Sequence, residues 1–187
     1  MVEDMGNAVI VLYATVIVAI GTIAALFIHW YYYRQQNIIA KNEINYYAML
    51  EIMKIFNDTE TARKRDILYS AFRDNRLYKN ANGDIAEHYN FSADVKFYRL
   101  PEVVASVRGS FDQMGKLVKE EYVQREEFLE MYCDPVIRMG KVLKRHIIRE
   151  RERRGHGHFM IYFDEIFNDA RIYWEREFPN IPEPDPF

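Results

Sequence analysis

Two pairs of arginine and histidine with the same spacing lie close together in the sequence. Arg151 is followed five positions later by His156, and Arg153 is followed five positions later by His158. A histidine at a ribose 2′-hydroxyl or a leaving oxygen can transfer a proton, while an arginine stabilises negative charge on a phosphate. Each pair could therefore combine proton transfer with stabilisation of phosphate charge.

The spacing resembles the pattern of the HEPN ribonucleases, an all-helical family in which an arginine is followed a few residues later by a histidine. The resemblance implies that Arg151 and His156 are catalytic residues. Gly155 and Gly157 flank the first histidine. Because glycines favour a loop and the family uses a helical setting, we keep RNA cleavage as the alternative to a binding function.

The same histidines raise the question of a metal site. His156 and His158 contribute two imidazoles, but a zinc site needs three or four protein ligands. The chain has neither an HExxH motif nor a pair of cysteines to complete the set, although His88 and His146 could join a cluster in space. We predict no metal and no other cofactor. Cys133, the only cysteine, is predicted to be a small core residue that forms no disulfide.

Charge is strongly segregated in the last third of the chain. Residues 164–185 hold seven acidic side chains against two arginines, a net charge of −5. Residues 138–154 have a net charge of +6. We predict that this basic segment is the binding surface, formed by Arg138, Lys141, Lys144, Arg145, Arg149, Arg151, Arg153 and Arg154.

Three interpretations of the basic segment remain open. Its side chains could solvate a helix face and complement the helix dipole, while the acidic segment of the same domain neutralises them. They could also attract anionic lipid headgroups, each contributing about 1 kcal/mol near the surface. A basic stripe binds phosphodiesters equally well, but nothing else in the sequence favours nucleic acid.

The elements that position these residues begin with an apolar N-terminal segment. Residues 5–33 contain no Asp, Glu, Lys or Arg, and residues 8–33 exceed the roughly 20 that a helix needs to cross a bilayer. A secretory signal peptide would be preceded by basic residues and followed by a cleavage site with small side chains, whereas here Glu3 and Asp4 precede the apolar run. We therefore predict an uncleaved transmembrane helix at residues 8–33 after a short N-terminus of residues 1–7.

The flanking residues predict the orientation of this helix. The aromatic residues from Trp30 to Tyr33 suit the headgroup layer, and the first basic residue, Arg34, follows them at once. The positive-inside rule then places the N-terminus outside the cell and the rest of the chain in the cytoplasm. Gly21 and Ala25, one helical turn apart, offer a close-packing face for a homo-oligomer.

The remaining sequence predicts an all-α fold of four to five helices over residues 34–178. Neither Gly nor Pro occurs between Gly21 and Gly83, so the transmembrane helix could continue as a stalk to about Phe56. Later segments show the three- and four-residue spacing of amphipathic helices. The apolar residues with this spacing are Ile67, Leu68, Ala71 and Phe72; Val104, Val107, Phe111, Met114 and Val118; Val136, Met139, Leu143 and Ile147; and Phe159, Phe163, Ile166, Ala170, Tyr173 and Trp174.

Prolines and polar clusters set the predicted boundaries. Pro101 suits the first turn of one helix, and Asp134 with Pro135 suits the cap and first residue of the next. The aperiodic residues 79–94 predict a long connection or two turns. The Pro-rich residues 179–187 predict an extended, mobile tail.

Residues 103–174 resemble the prokaryotic family catalogued as domain of unknown function 4760, in the run VVASVRGSFDQMGKLVKEEYVQREEFLEMYCDPVIRMGKVLKRHI and the later helix FMIYFDEIFNDARIYW. The resemblance is one of helical spacing. It implies a single N-terminal membrane helix followed by a helical domain, and it assigns no reaction. Taken together, the sequence predicts a membrane-anchored accessory or scaffold subunit rather than an enzyme, which binds a protein partner, a second copy or anionic lipid headgroups.

Overall fold

The computed structural model describes residues 2–91, 96–155 and 157–186 of the chain. Contacts divide the chain into two compact units, of which the first ends at Ile44 and the second begins at Asn45. The described elements are α1 (Val2–Asn57), α2 (Thr59–Arg73), β1 (His88–Phe91), β2 (Lys96–Arg99), α3 (Leu100–Lys119), α4 (Arg125–Arg154) and α5 (Ile161–Glu177).

The first unit is one apolar helix. From Thr15 onward α1 is long and apolar enough to cross a membrane, and none of the residues in its most apolar window is buried. The helix continues without a break beyond Arg34 to Asn57, as the lack of Gly and Pro predicts. The prediction of an apolar N-terminal helix that extends beyond the uncharged run is therefore confirmed.

The second unit is a helical bundle, and the prediction of an all-α fold is confirmed. The last turns of α1 contribute Ile52, which is fully buried, and Phe56, whose ring lies 5.0 Å from that of Tyr132. Helices α2 to α5 complete the core with the apolar faces that their spacing predicts. The predicted residues that are buried are Ile67, Leu68, Ala71, Val104, Val107, Phe111, Met114, Val118, Val136, Met139, Leu143, Ile147, Phe163, Ile166 and Ala170.

The prediction that Asp134 and Pro135 begin a helix is wrong, because α4 begins nine residues earlier at Arg125 and Pro135 lies inside it. A proline there removes one helical hydrogen bond, at a cost of about 3 kcal/mol. Apolar side chains on both sides of it, among them Phe128 and Val136, are buried on the same helix face. Their burial outweighs the lost hydrogen bond and keeps the helix continuous.

The predicted connection between α2 and α3 contains a small antiparallel hairpin. His88 of β1 pairs with Arg99 of β2, and Phe91 pairs with Lys96. Tyr89 is buried, and its hydroxyl donates a hydrogen bond to Asp74 Oδ2 at 2.8 Å. Strands of four residues are too short for alternation to be recognised in the sequence, so the hairpin depends on this tertiary contact.

Close helix packing at α5 depends on two glycines. A Cβ atom on Gly115 of α3 would lie 2.4 Å from the Tyr162 carbonyl oxygen. A Cβ atom on Gly140 of α4 would lie 2.2 Å from the Phe167 ring. At Gly115 the backbones of α3 and α5 therefore meet directly, and at Gly140 the Phe167 ring of α5 lies directly on the α4 backbone.

Candidate binding site on the fourth helix

All eight residues of the predicted basic segment lie in one helix. They lie between Arg138 and Arg154, the last residue of α4, and Gly155 caps the helix in a left-handed conformation with φ of 68°. A glycine adopts this conformation without the steric cost that a side chain would add. The predicted segment is therefore a continuous helical surface, and its side chains point to several sides of α4.

Six of the eight basic side chains pair with carboxylates of the second unit. Asp164 and Glu183 belong to the acidic segment, but the other carboxylates lie outside it, so the acidic segment neutralises only part of the basic segment. Lys144 and Arg145 have no such contact within the described residues. The nitrogen-to-oxygen distances are 2.8 Å for Arg138 and Asp134, 3.4 Å for Lys141 and Glu183, 3.1 Å for Arg149 and Asp84, 3.1 Å for Arg151 and Asp164, 2.8 Å for Arg153 and Glu150, and 3.2 Å for Arg154 and Glu150.

The C-terminal tail supplies one of these carboxylates. Glu183 lies between Lys141 of α4 and Arg171 of α5, whose Nε is 2.6 Å from Glu183 Oε1. These cations lower the pKa of the Glu183 carboxylate despite the opposing effect of burial. Pro184 and Pro186 are buried, and Trp174 Nε1 donates to the Ile181 carbonyl oxygen at 3.1 Å.

The tail contacts the bundle through Trp174 and through the cations that bind Glu183, while its mobility stays a prediction. The composition of the tail correctly indicates a segment without helix or strand, because four prolines remove backbone donors. It does not reveal that Lys141 and Arg171, which are distant in sequence, together bind Glu183.

The loop before β1 contacts α4 closer to the C-terminal end of the helix than the tail does. Gly83 has a φ of 88°, and a Cβ atom there would lie 2.5 Å from the Arg145 carbonyl oxygen. The next residue, Asp84, accepts a hydrogen bond from Arg149 Nε at 3.1 Å. The KNANGD stretch is therefore a packed loop that neutralises one cation of the basic segment.

Both arginines of the candidate ribonuclease pairs bind carboxylates. Arg151 donates through Nε to the Phe159 carbonyl oxygen at 3.0 Å and through Nη1 to Asp164 at 3.1 Å. Arg153 donates two hydrogen bonds to Glu150, at 2.9 and 2.8 Å. His156 lies outside the described residues, and His158 is exposed in the turn before α5.

Glu150 is the most strongly perturbed acid of the segment. Hydrogen bonds from Arg153 and Arg154 lower its pKa to about 2, against the effect of partial burial. A carboxylate with this pKa stays ionised at neutral pH and cannot act as a general acid there. Its role is to hold two arginines against the end of α4.

The histidine of α4 and the cysteine are both at least partly shielded from solvent. His146 is half-buried, and Arg108 lies 3.4 Å from its Nε2. Burial and the charge of Arg108 lower the pKa of His146, which favours the neutral imidazole. Cys133 is buried as predicted, and burial raises the pKa of its thiol. Within the described ranges, no group of three or more His, Cys, Asp or Glu side chains could hold a metal ion.

Lys144, Arg145 and Ile148 form an exposed patch on α4, called here the α4 patch. Within the part of the chain that the structure describes, no carboxylate lies at ion-pair distance from Lys144 or Arg145. The Arg145 guanidinium instead lies 5.8 Å from the centre of the Tyr78 ring. Ile148, with 47% of its surface exposed, adds an apolar side chain next to the two cations.

A groove of about 280 Å³ runs between α4 and α5. Its basic side chains are Lys144, Arg151 and Arg171, and its acidic side chain is Asp164. The sequence does not predict this groove, because Arg171 lies in the acidic segment and only the helix pairing brings it opposite α4. The remaining lining residues are Gly140, Ile147, Ile148, Phe163, Phe167 and Asn168.

Comparison with known proteins gives no relative. No family model, no curated protein and no solved structure matches the chain.

Proposed function

We propose that the chain is a single-pass membrane protein of the kind that domain of unknown function 4760 represents, with its N-terminus outside the cell and its helical domain in the cytoplasm. The domain acts by binding, as an accessory or scaffold subunit. The proposal rests on the apolar helix from Thr15 onward. None of the residues in its most apolar window is buried. Such an apolar surface needs lipid or a protein partner to cover it.

The side chains at the end of the apolar run support the orientation. Trp30 and the tyrosines that follow it are exposed, and the Arg34 guanidinium lies 5.6 Å from the centre of the Trp30 ring. An amphipathic aromatic belt followed by a cation matches the cytoplasmic interface of a membrane helix. Glu3 and Asp4 precede the apolar run, so no basic residue favours the opposite orientation.

The α4 patch is the best contact for anionic lipid headgroups. Six neighbouring cations are neutralised within the domain, whereas Lys144 and Arg145 remain available to external anions. Each basic residue near an anionic surface contributes about 1 kcal/mol. Two such residues with the apolar Ile148 would add a weak, salt-sensitive contact to a chain that α1 already anchors.

The orientation is tested with a reporter fused after Phe187. We expect the reporter to behave as a cytoplasmic protein, because the cations follow the apolar run. A second fusion before Met1 should behave as exported. If the first reporter is exported and the second is not, the orientation and the cytoplasmic assignment are both overturned.

The lipid contact is tested with a fluorophore at Ile148→Cys on the full chain in nanodiscs. Cys133 is buried with a raised thiol pKa, so the new cysteine reacts selectively. We expect a blue shift in nanodiscs with anionic lipid relative to zwitterionic ones, and reversal of the shift by salt.

Two controls make this experiment specific. The same fluorophore at Ile172→Cys, an exposed site on α5, should not shift. The double variant Lys144→Gln and Arg145→Gln should remove the shift at position 148. Identical spectra in both lipid mixtures, or a shift that survives the double variant, would show that the α4 patch does not bind headgroups.

A further inference from the structure

The groove between α4 and α5 has a chemistry that the proposed function does not use. Three basic side chains from two helices face a cavity with an apolar floor, although most basic side chains elsewhere on α4 are neutralised. We propose that this groove binds a small phosphate monoester that carries a flat aromatic group. The groove shares Lys144 and Ile148 with the α4 patch, whereas Arg151 and Arg171 belong to the groove alone. Arg145 belongs to the patch alone, so different residues test the two proposals.

The charges of the groove fit a phosphate. Asp164 neutralises Arg151, which leaves Lys144 unpaired and Arg171 shared with Glu183 of the tail. A phosphate monoester carries close to two negative charges at neutral pH and has three strong acceptor oxygens. It can therefore accept hydrogen bonds from several separate cations at once, which a carboxylate with two oxygens does less well.

The two arginines are held in position and still have free donors. Arg151 uses Nε and Nη1 for the Phe159 carbonyl and Asp164, and Arg171 uses Nε for Glu183. A guanidinium has five N–H donors, so each arginine keeps some for a ligand. Side chains that are already ordered lose less entropy on binding, and this favours affinity.

The floor of the groove fits an aromatic group. Ile147 and Phe163 are buried, and the Phe167 ring is held against α4 at Gly140, where no side chain could be accommodated. Aromatic and aliphatic side chains with a few placed cations are the usual lining of a small-molecule site.

The groove suits a small ligand. It has a volume of about 280 Å³ and is partly open to solvent. Phenyl phosphate, which combines one aromatic ring with one phosphate, is the simplest ligand of the proposed class. Phenyl phosphate is therefore the probe of choice.

Binding is measured by calorimetry on the full chain in zwitterionic nanodiscs, where anionic lipid does not compete. We expect saturable, salt-sensitive binding of phenyl phosphate, weaker binding of inorganic phosphate and none of benzyl alcohol. Lys144→Gln should weaken the affinity about tenfold, since a charge-assisted hydrogen bond is lost. Arg145→Gln, its neighbour outside the groove, should change the affinity less than about twofold.

A second variant tests the cavity itself. Asn168 is exposed and lines the groove, so Asn168→Trp fills the space without removing a charge or disturbing the core. We expect it to abolish binding of phenyl phosphate while thermal unfolding stays unchanged.

Either of two results overturns the proposal. One is the absence of binding by the wild-type chain. The other is binding that Lys144→Gln and Asn168→Trp leave intact, which would place the anion elsewhere on the surface. Failure here leaves the lipid contact standing, because that contact is measured at Ile148 in anionic nanodiscs and depends on Arg145.

Discussion

The part of α1 before Asn45 and the helix α4 are both long helices, but they handle apolar residues in opposite ways. The first is uncharged over most of its length and exposes its large apolar side chains, with Phe27 67% exposed. The second is among the most charged stretches of the chain and buries eleven residues. Composition thus indicates which solvent surrounds a helix, whereas the spacing of apolar residues indicates which side of it is covered.

The largest expected effect comes from removing a buried aromatic ring from the bundle, and the comparison is the removal of an exposed ring from the first unit. Phe111→Ala leaves a cavity in the core of the bundle and should lower the free energy of unfolding by about 3–5 kcal/mol. Phe27→Ala removes an exposed ring of the first unit and should leave bundle unfolding unchanged. Urea titration of the full chain in mild detergent, followed by near-UV circular dichroism, measures both. Equal losses in the two variants would mean that the units unfold together.

Glycine substitutions sharpen the same contrast. Gly115→Ala places a methyl group against the Tyr162 backbone and should destabilise the bundle by about 1–3 kcal/mol. Gly21→Ala meets no atom within 4 Å and should not destabilise the protein. Thermal unfolding of the two variants in the same detergent provides the measurement. A destabilising Gly21→Ala would instead indicate that a second copy packs on that face of α1.

The tail provides a smaller test of the bundle. Glu183→Gln replaces a mostly buried carboxylate that binds Lys141 and Arg171, and we expect a loss of about 1.5 kcal/mol in the free energy of unfolding at neutral pH. Asp185→Asn is the control, because its carboxylate is 79% exposed and lies 3.9 Å from Lys141. Similar unfolding curves for wild type and Glu183→Gln would mean that the tail contributes nothing to stability.

The smallest expected effect is a pH dependence at the end of α4. Because the pKa of Glu150 is lowered to about 2, its ionisation stabilises the fold above the ordinary value of 4.5, and this stabilisation is lost as the pH falls from 4.5 toward 2. Glu150→Gln should therefore cost about 1 kcal/mol or less at pH 7, since Arg153 is well exposed and solvent screens the pair.

The difference between wild type and Glu150→Gln should disappear near pH 2, as followed by urea unfolding at both pH values. Glu152→Gln is the matched control, because its carboxylate is 3.9 Å from Arg149 and 65% exposed. A Glu150→Gln penalty that is the same at pH 7 and pH 2 would contradict the role of the ionised carboxylate.

Much of the fold could be predicted from apolar spacing, and the exceptions have physical causes. The buried face of α3 and the continuation of α1 to Asn57 follow from local periodicity. The sequence predicts a helix start at Asp134 and Pro135, which is too late. The error arises because a proline is tolerated inside α4, where apolar residues before and after it are buried. The hairpin at His88 is too short to give a periodic signal.

The candidate site was less predictable than the fold. The eight basic residues are recognisable in the sequence, but the pairing of six of them depends on carboxylates as distant as Asp84 and Glu183. Arg171 lines the groove, although in the sequence it lies within the acidic segment of residues 164–185. Arg151 and His156 are close in the sequence, but in the structure Arg151 donates a hydrogen bond to Asp164.

The sequence by itself determined the all-α class, the long apolar N-terminal helix and the side of each bundle helix that is buried, because these properties depend on residues within a few helical turns. Only the tertiary structure decided which cations remain available on α4, where the tail attaches and that a groove forms between α4 and α5. These properties arise from contacts between residues distant in sequence, at separations that the glycines of α3 and α4 make possible.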